Sequence, residues 1–240
     1  MPTATLNALA TLLATASCAA AATTGLLITE IVDGTLPGGT PRFIELTNTS
    51  ATTIDFTNLS VGLFKNGRTT LDATIPLAGS LPAGQTYVIA YDDDPYTGNF
   101  FDTYGFNPTL ATPDLEINGD DTLVLYDGIA AGDGSNATTL DIYGQLGVDG
   151  TGDPWEYTDS FAYRRTTITN ANPDFTLSEW VFGTPNALEA DTDEQNLTLI
   201  LANTTPGNFT GTDPGNPVPT PAAAAAGLLL LATLTLRRSA

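Results

Sequence analysis

The sequence predicts an all-β fold in which two antiparallel sheets pack face to face as a sandwich. Short segments of β-forming residues follow one another between residues 26 and 182, and turn-forming pairs such as Asp33-Gly34 and Asn66-Gly67 separate them. The same stretch shows no convincing helical periodicity. With 240 residues, of which 42% are hydrophobic, the chain is long enough to bury one good core.

Nine strands are predicted in order along this region. They are expected at residues 26–32, 42–48, 60–65, 71–76, 86–91, 122–126, 140–145, 160–165 and 179–182. Asn66-Gly67 predicts the clearest hairpin, because both residue types tolerate the positive φ angles of a two-residue turn. The strand at 122–126 is apolar without clean alternation, which predicts a central strand covered on both faces.

The charge and the residue types that are missing exclude several classes of function. The chain has 27 acidic residues against 7 Lys and Arg and a net charge of −20, so it repels phosphate backbones and anionic lipid heads. We therefore expect no nucleic-acid partner. The sequence contains no His and a single Cys, Cys18, which removes His bases, Cys nucleophiles and His/Cys metal sites. We predict that the protein is not an enzyme, with no catalytic residue and no cofactor unless calcium binds.

Three segments of the predicted sandwich match, in order, the pattern of a known family. They are residues 26–48, 77–90 and 140–182. Their signature residues are Phe43, Glu45, Asn48, Trp155 and Trp180. Together they resemble the lamin tail domain of secreted bacterial proteins, which implies an Ig-like β-sandwich over residues 25–188 and a non-catalytic module. Both tryptophans are interpreted as core and loop anchors and not as a carbohydrate platform, because a small sandwich needs large side chains at its centre.

Glu45 is the charged residue of the signature strand. It lies on the opposite strand face from Ile44 and Leu46, which are expected to point into the core. Glu45 is therefore predicted to face outward or to lie under a loop, and to hydrogen bond loop amides or an arginine. In the resembling family this Glu belongs to the fold and has no catalytic role. The arginines considered as its partners are Arg42, Arg164 and Arg165. The last two are adjacent and hence on opposite faces, and one of them is expected to pair with a carboxylate.

Clustered acidic residues in three loops make calcium a candidate ligand, because calcium takes six to eight oxygen ligands. The main cluster follows the strand at 86–91, and its residues are Asp92, Asp94 and Asp102. The other clusters are Asp120 with Asp121, and Asp149 with Asp153. None has the spacing of an EF-hand, and solvated turn aspartates are the favoured interpretation. A carboxylate-dependent extracellular hydrolase and a calcium-dependent carbohydrate-binding protein remain the alternative functions.

Residues 1–22 are predicted to be a secretory signal peptide. A run of apolar and small residues ends in consecutive alanines that suit cleavage after Ala22. No Lys or Arg precedes this run, so either the α-amino group supplies the positive charge or translation starts upstream of Met1. Cys18 leaves lipoprotein processing as an alternative, although Thr15 stands where a Leu is usual.

The C-terminal end predicts a linker followed by a membrane-directed signal. Residues 189–217 are expected to be an acidic and polar linker, with one further strand at 197–201. The residues of the signal are Val218, Pro219, Thr220, Pro221, Arg237 and Arg238. A proline motif, an apolar run and terminal arginines over 218–240 resemble the PEP-CTERM sorting signal, which a membrane processing protease recognises. The departure from that signal is Thr220, which stands in place of the usual Glu.

The apolar run over residues 222–236 is short for a permanent membrane span. As a helix it would measure about 22 Å, against a hydrocarbon core of about 30 Å. Transient anchoring followed by cleavage is therefore the favoured interpretation, with a plain short anchor and a GPI signal as alternatives. We expect an exported protein at the cell envelope or outside the cell. The expected partners are the membrane, the processing protease, and an extracellular polysaccharide or envelope protein.

Overall fold

The computed structural model describes residues 24–92 and 100–209. The predicted signal peptide at 1–22 and the predicted sorting signal at 218–240 lie outside this part of the chain, as does Asp94. Within the described residues, no helix has the length and apolar character needed to cross a membrane.

The described chain is mostly β-structure. Its strands are β1 (Leu26–Leu36), β2 (Thr40–Asn48), β3 (Ile54–Asp55), β4 (Leu59–Phe64), β5 (Ala73–Pro76), β6 (Ser80–Leu81), β7 (Thr86–Tyr91), β8 (Leu110–Thr112), β9 (Thr122–Asp127), β10 (Thr138–Tyr143), β11 (Phe161–Arg164) and β12 (Trp180–Phe182). Two α-helices, α1 (Phe100–Tyr104) and α2 (Asp193–Asn203), and one 3₁₀ turn (Leu177–Glu179) complete it. The predicted all-β class is confirmed in its strands and sheets, and each of the nine predicted strands overlaps an observed one.

Two main sheets form the sandwich. The larger has the order β12-β11-β1-β2-β7-β8, and all its pairs are antiparallel except β7 with β8. The smaller has the order β10-β9-β4-β5, and a separate short pair joins β3 to β6. The predicted hairpin is present between β4 and β5, with φ of 48° at Asn66 and 70° at Gly67. β9 lies between β4 and β10 and is buried over Thr122–Tyr126, as its apolar run predicts.

The main core lies between the sheets, and a second apolar cluster covers the outer face of the larger sheet. In the second cluster, Phe43 of β2 makes edge contacts with Phe100 and Tyr104 of α1, with ring centroids 5.4 and 5.7 Å apart. Ile200 of α2 is fully buried in the same cluster. The outer face of the larger sheet is therefore covered by helices, and both faces of β2 contribute to packing.

The predicted extra strand at 197–201 is wrong, because residues 193–203 form α2. This helix interrupts the linker predicted over 189–217, of which residues 210–217 lie outside the described part of the chain. Thr192 is its N-cap, and the Thr192 side chain accepts the backbone N–H of Gln195 at 3.3 Å. Asp193 and Glu194 lie in the first turn, where their negative charges interact favourably with the positive end of the helix dipole. The polar composition suggested a linker, whereas the helix is stabilised by burying Ile200. α1 was also not predicted, since five residues are too few for a periodic pattern to show.

Candidate functional site

The signature strand β2 presents different residues to its two faces. Ile44 and Leu46 belong to the core between the sheets, as predicted, and Phe43 belongs to the helix-covered cluster. Glu45 shares the outer face with Phe43 and is only 1% exposed. It lies under the segment after α2, where its Oε2 atom accepts the backbone N–H of Gly207 at 2.7 Å. This confirms the prediction that Glu45 lies under a loop and hydrogen bonds a loop amide, which was the first of the two kinds of partner considered.

Glu30 of β1 lies directly opposite Glu45 across the β1–β2 ladder and was not singled out by the sequence. It is also 1% exposed, and its Oε1 atom accepts the backbone N–H of Thr205 at 2.9 Å. Burial raises the pKa of Glu45 to about 7. Burial, followed by the charge of Glu45, raises the pKa of Glu30 well above its ordinary value. Pairing the predicted β1 and β2 strands in register would have revealed this pair, since that register puts both glutamates on the same face of the sheet.

Asn48, at the end of β2, connects the signature strand to two other segments. Its side chain is completely buried and donates to the carbonyl oxygens of Thr52 and Leu81 at 2.8 and 2.7 Å. The Asn48 Oδ1 atom accepts the backbone N–H of Ser50 at 3.0 Å. All the hydrogen-bonding capacity of the amide nitrogen is therefore used, which gives Asn48 a structural role in the fold.

A buried ion-pair network joins the two sheets. Arg164 of β11 is 1% exposed, and Asp141 of β10 is completely buried. The guanidinium of Arg164 bonds the carboxylates of Asp141 and Glu179. Asp141 also accepts the backbone N–H of Ile28 at 2.8 Å and that of Asn172 at 3.0 Å. The prediction that one of the adjacent arginines pairs with a carboxylate is confirmed, and Asp141 is a buried polar anchor that the sequence did not reveal.

The two tryptophans lie inside the molecule. Trp155 is 3% exposed and Trp180 is 1% exposed, and both make edge contacts with the ring of Tyr143. The guanidinium of Arg164 lies over the Trp180 ring, 4.4 Å from its centroid. The prediction that they anchor the core is confirmed, and buried rings of this kind leave no face for stacking a sugar.

The aspartates at 120 and 121 hold loops together. Asp121 is completely buried and accepts the backbone N–H groups of Asn66 and Asn118 at 3.1 and 3.0 Å. Burial is the main cause that raises the pKa of Asp121 to about 7. Asp120 accepts the hydroxyl of Thr151 at 3.0 Å. The expectation of a solvated turn aspartate is therefore wrong for Asp121, because its carboxylate is buried and bonds amides of its own turn and of the Asn66 turn.

An open cavity of about 200 Å³ is present beside the end of β7 and the start of α1. Its lining includes Tyr91, Asp92, Phe101 and Asn107. Asp102 is not among the lining residues, although it was predicted to act with Asp92. Within residues 24–92 and 100–209, no group of three or more His, Cys, Asp or Glu side chains could hold a metal ion. Because Asp94 lies outside these ranges, the calcium site stays a prediction.

The strand order, the buried residues of β2 and the aromatic centre together define an all-β, Ig-like module. The Lamin Tail Domain family matches residues 19–146, which is more than half of the 240 residues. The chain belongs to this family, whose domains are generally non-catalytic and are structural or interaction modules. No curated protein matches the sequence.

Proposed function

We propose that this protein is an exported, non-catalytic structural or interaction module that its C-terminal tail anchors at, or sorts to, the cell envelope. The observation that carries this proposal is the membership of the Lamin Tail Domain family. Its signature residues Phe43, Glu45 and Asn48 are each buried in packing or hydrogen bonding. Side chains engaged in this way serve the scaffold and do not act on a substrate.

The placement of the perturbed carboxyl groups supports a non-catalytic role. Catalytic acids and bases combine a shifted pKa with access to a cleft. The described carboxyls whose pKa is raised to about 7, or well above its ordinary value, are all buried: they are Glu30, Asp33, Glu45 and Asp121. None of them lines the open cavity beside Asp92. Their titration therefore bears on the stability of the fold more than on chemistry.

The charge supports a location in a hydrated extracellular matrix or envelope. Two of the seven basic residues, Arg237 and Arg238, stand in the proposed signal, so cleavage near 218–221 would leave the molecule still more acidic. Such a surface stays soluble and avoids phosphate-rich partners. An extracellular polysaccharide or an envelope protein is the partner class that we propose.

Mass spectrometry of the protein recovered from its native host tests the export and sorting. We expect a mature N-terminus after Ala22 and a mature C-terminus near 218–221. Changing Pro219 and Pro221 to Ala should block the C-terminal cut. A matched control changes Pro214 and Pro217 to Ala, which alters two nearby prolines outside the motif. An intact C-terminus in the membrane fraction of the wild type would mean a permanent anchor and would end the sorting proposal.

Activity assays test the non-catalytic role directly. The purified protein should turn over neither polysaccharides nor nucleic acids. A variant with Asp92, Asp94 and Asp102 changed to Ala is the matched control, because these carboxylates are the strongest candidates for a catalytic pair. Turnover by the wild type that disappears in the variant would replace the module with a hydrolase.

A further inference from the structure

The segment at 204–208, which follows α2, is held on the larger sheet by two buried carboxyl groups. Glu30 accepts the N–H of Thr205 at 2.9 Å, and Glu45 accepts the N–H of Gly207 at 2.7 Å. The hydroxyl of Tyr104 lies 2.7 Å from the hydroxyl of Thr204 in the same segment. This segment lies at the end of the described range 100–209, so these contacts hold the last described residues on the sandwich.

Within residues 24–92 and 100–209, the carboxyl pair has no basic partner. The ion pairs among the described residues include neither Glu30 nor Glu45. The groups that face the pair are the hydroxyls of Thr29 and Thr47 from β1 and β2, Tyr163 from β11 and Tyr104 from α1. Two negative charges enclosed without a cation repel each other and lose hydration, so the pair favours retaining a proton.

One oxygen of the pair is not fully used. The Oε2 atom of Glu30 is buried without a well-formed hydrogen bond, and the buried hydroxyl of Tyr163 that faces Glu30 lowers the pKa of Glu30 less than burial raises it. Burial of an unsatisfied carboxylate oxygen is costly, whereas a neutral carboxyl group is tolerated far better. The geometry therefore favours the protonated pair beneath the closed segment.

We propose that Glu30 and Glu45 form a proton-dependent clasp that holds the 204–208 segment against the outer face of the larger sheet. The clasp is a conformational device of the fold and does not depend on the sorting proposal. The segment stays closed at acidic pH, where the enclosed carboxyl groups are protonated. It opens more often as the pH rises and these groups ionise.

The direction and size of the pH effect on opening follow from the difference between the pKa of Glu45 in the closed segment and its pKa in the open segment. In the open segment, exposed to water, Glu45 has its ordinary pKa of 4.5, and in the closed segment burial raises that pKa to about 7. The stabilisation is fully present below the lower value and is lost as the pH rises through the higher one. Between these limits opening releases the proton of Glu45, and that of Glu30 as well where opening exposes it, so the opening equilibrium rises at least about tenfold per pH unit.

Amide hydrogen exchange on the full chain tests the clasp. Protection of the Thr205 and Gly207 amides, corrected for intrinsic exchange rates, should fall at least about a hundredfold between roughly pH 5 and pH 7. The readout must be local, because Asp33 and Asp121 also have a pKa of about 7 and affect global stability in the same range. The double variant Glu30→Gln with Glu45→Gln should show protection that no longer varies with pH.

Glu116→Gln is the matched control, because Glu116 is an exposed surface carboxylate paired with Lys65. It should keep the full pH dependence at Thr205 and Gly207. Carbon-13 carboxyl shifts of Glu30 and Glu45 in the wild type give a second measurement that needs no variant. Unchanged protection across this pH range, or two carboxyls that titrate at ordinary values, would overturn the proposal, as would a double variant that keeps the pH dependence.

Discussion

Replacing Asp141 by Ala removes the acceptor at the centre of the network between the sheets. Its carboxylate accepts the N–H groups of Ile28 on β1 and Asn172 in the loop before β12, and it pairs with Arg164 on β11. The side chain is completely buried, so water has no direct access to the groups left behind. The change therefore leaves two amides and part of a guanidinium without partners.

The expected loss can be worked out from these partners. An unsatisfied buried donor costs about 1–3 kcal/mol, and removing one member of a buried ion pair costs about 3–5 kcal/mol in total. Arg164 keeps its contact with Glu179, which limits the loss. We expect Asp141→Ala to lower the free energy of unfolding by about 3–5 kcal/mol, a large fraction of the roughly 5–15 kcal/mol typical of a domain.

Urea unfolding followed by tryptophan fluorescence is a suitable assay, because Trp180 lies against Arg164. The control is Glu116→Ala, which removes a side chain that is 59% exposed and paired with Lys65. That loss should stay below about 1 kcal/mol. If Asp141→Ala were no more destabilising than this control, the network would not hold the sheets together and the reasoning would fail.

Three further predictions concern single positions. Asn48→Ala should cost about 1–3 kcal/mol in urea unfolding, because it leaves the buried carbonyl oxygen of Leu81 without its amide donor and also removes the hydrogen bond to Thr52. A loss below about 0.5 kcal/mol would contradict this role. Gly119→Ala should lower the melting temperature more than Gly79→Ala. Both glycines have positive φ, but a Cβ at Gly119 would lie 2.1 Å from Thr158 whereas one at Gly79 meets nothing within 4 Å, so equal shifts would refute the clash. A calcium ion held by Asp92 would raise the melting temperature of the wild type in millimolar calcium but not that of Asp92→Ala, and equal behaviour in calcium and EDTA would reject the site.

The strands and the main hairpin could be predicted because their signals are local. Asn66-Gly67 has the residue types that a tight turn requires, and the apolar run at 122–126 indicates a strand covered on both faces. The burial of the tryptophans followed from the small size of a sandwich core. Each of these conclusions needs only neighbours in sequence or a general packing argument.

The polar contacts could not be predicted because they depend on register between distant segments. Arg164 meets Asp141 only after β10 and β11 have been placed in different sheets that face each other. Glu30 meets Glu45 only because β1 and β2 pair in one particular register. α2 was missed for a related reason, since its stability comes from burying Ile200 against the outer cluster and not from its own composition.

The folding unit is longer than the family match, and the contacts of β1 explain why. The match ends at residue 146, yet β1 pairs on one side with β11, which begins at Phe161. Without β11, the N–H and C=O groups on that side of β1 would be an exposed edge, and Asp141 would lose Arg164. The segment after α2 then covers Glu30 and Glu45 on the outer face. Residues 147–209 therefore complete the hydrogen bonding and charge pairing of the matched strands, and they belong to the same structural unit.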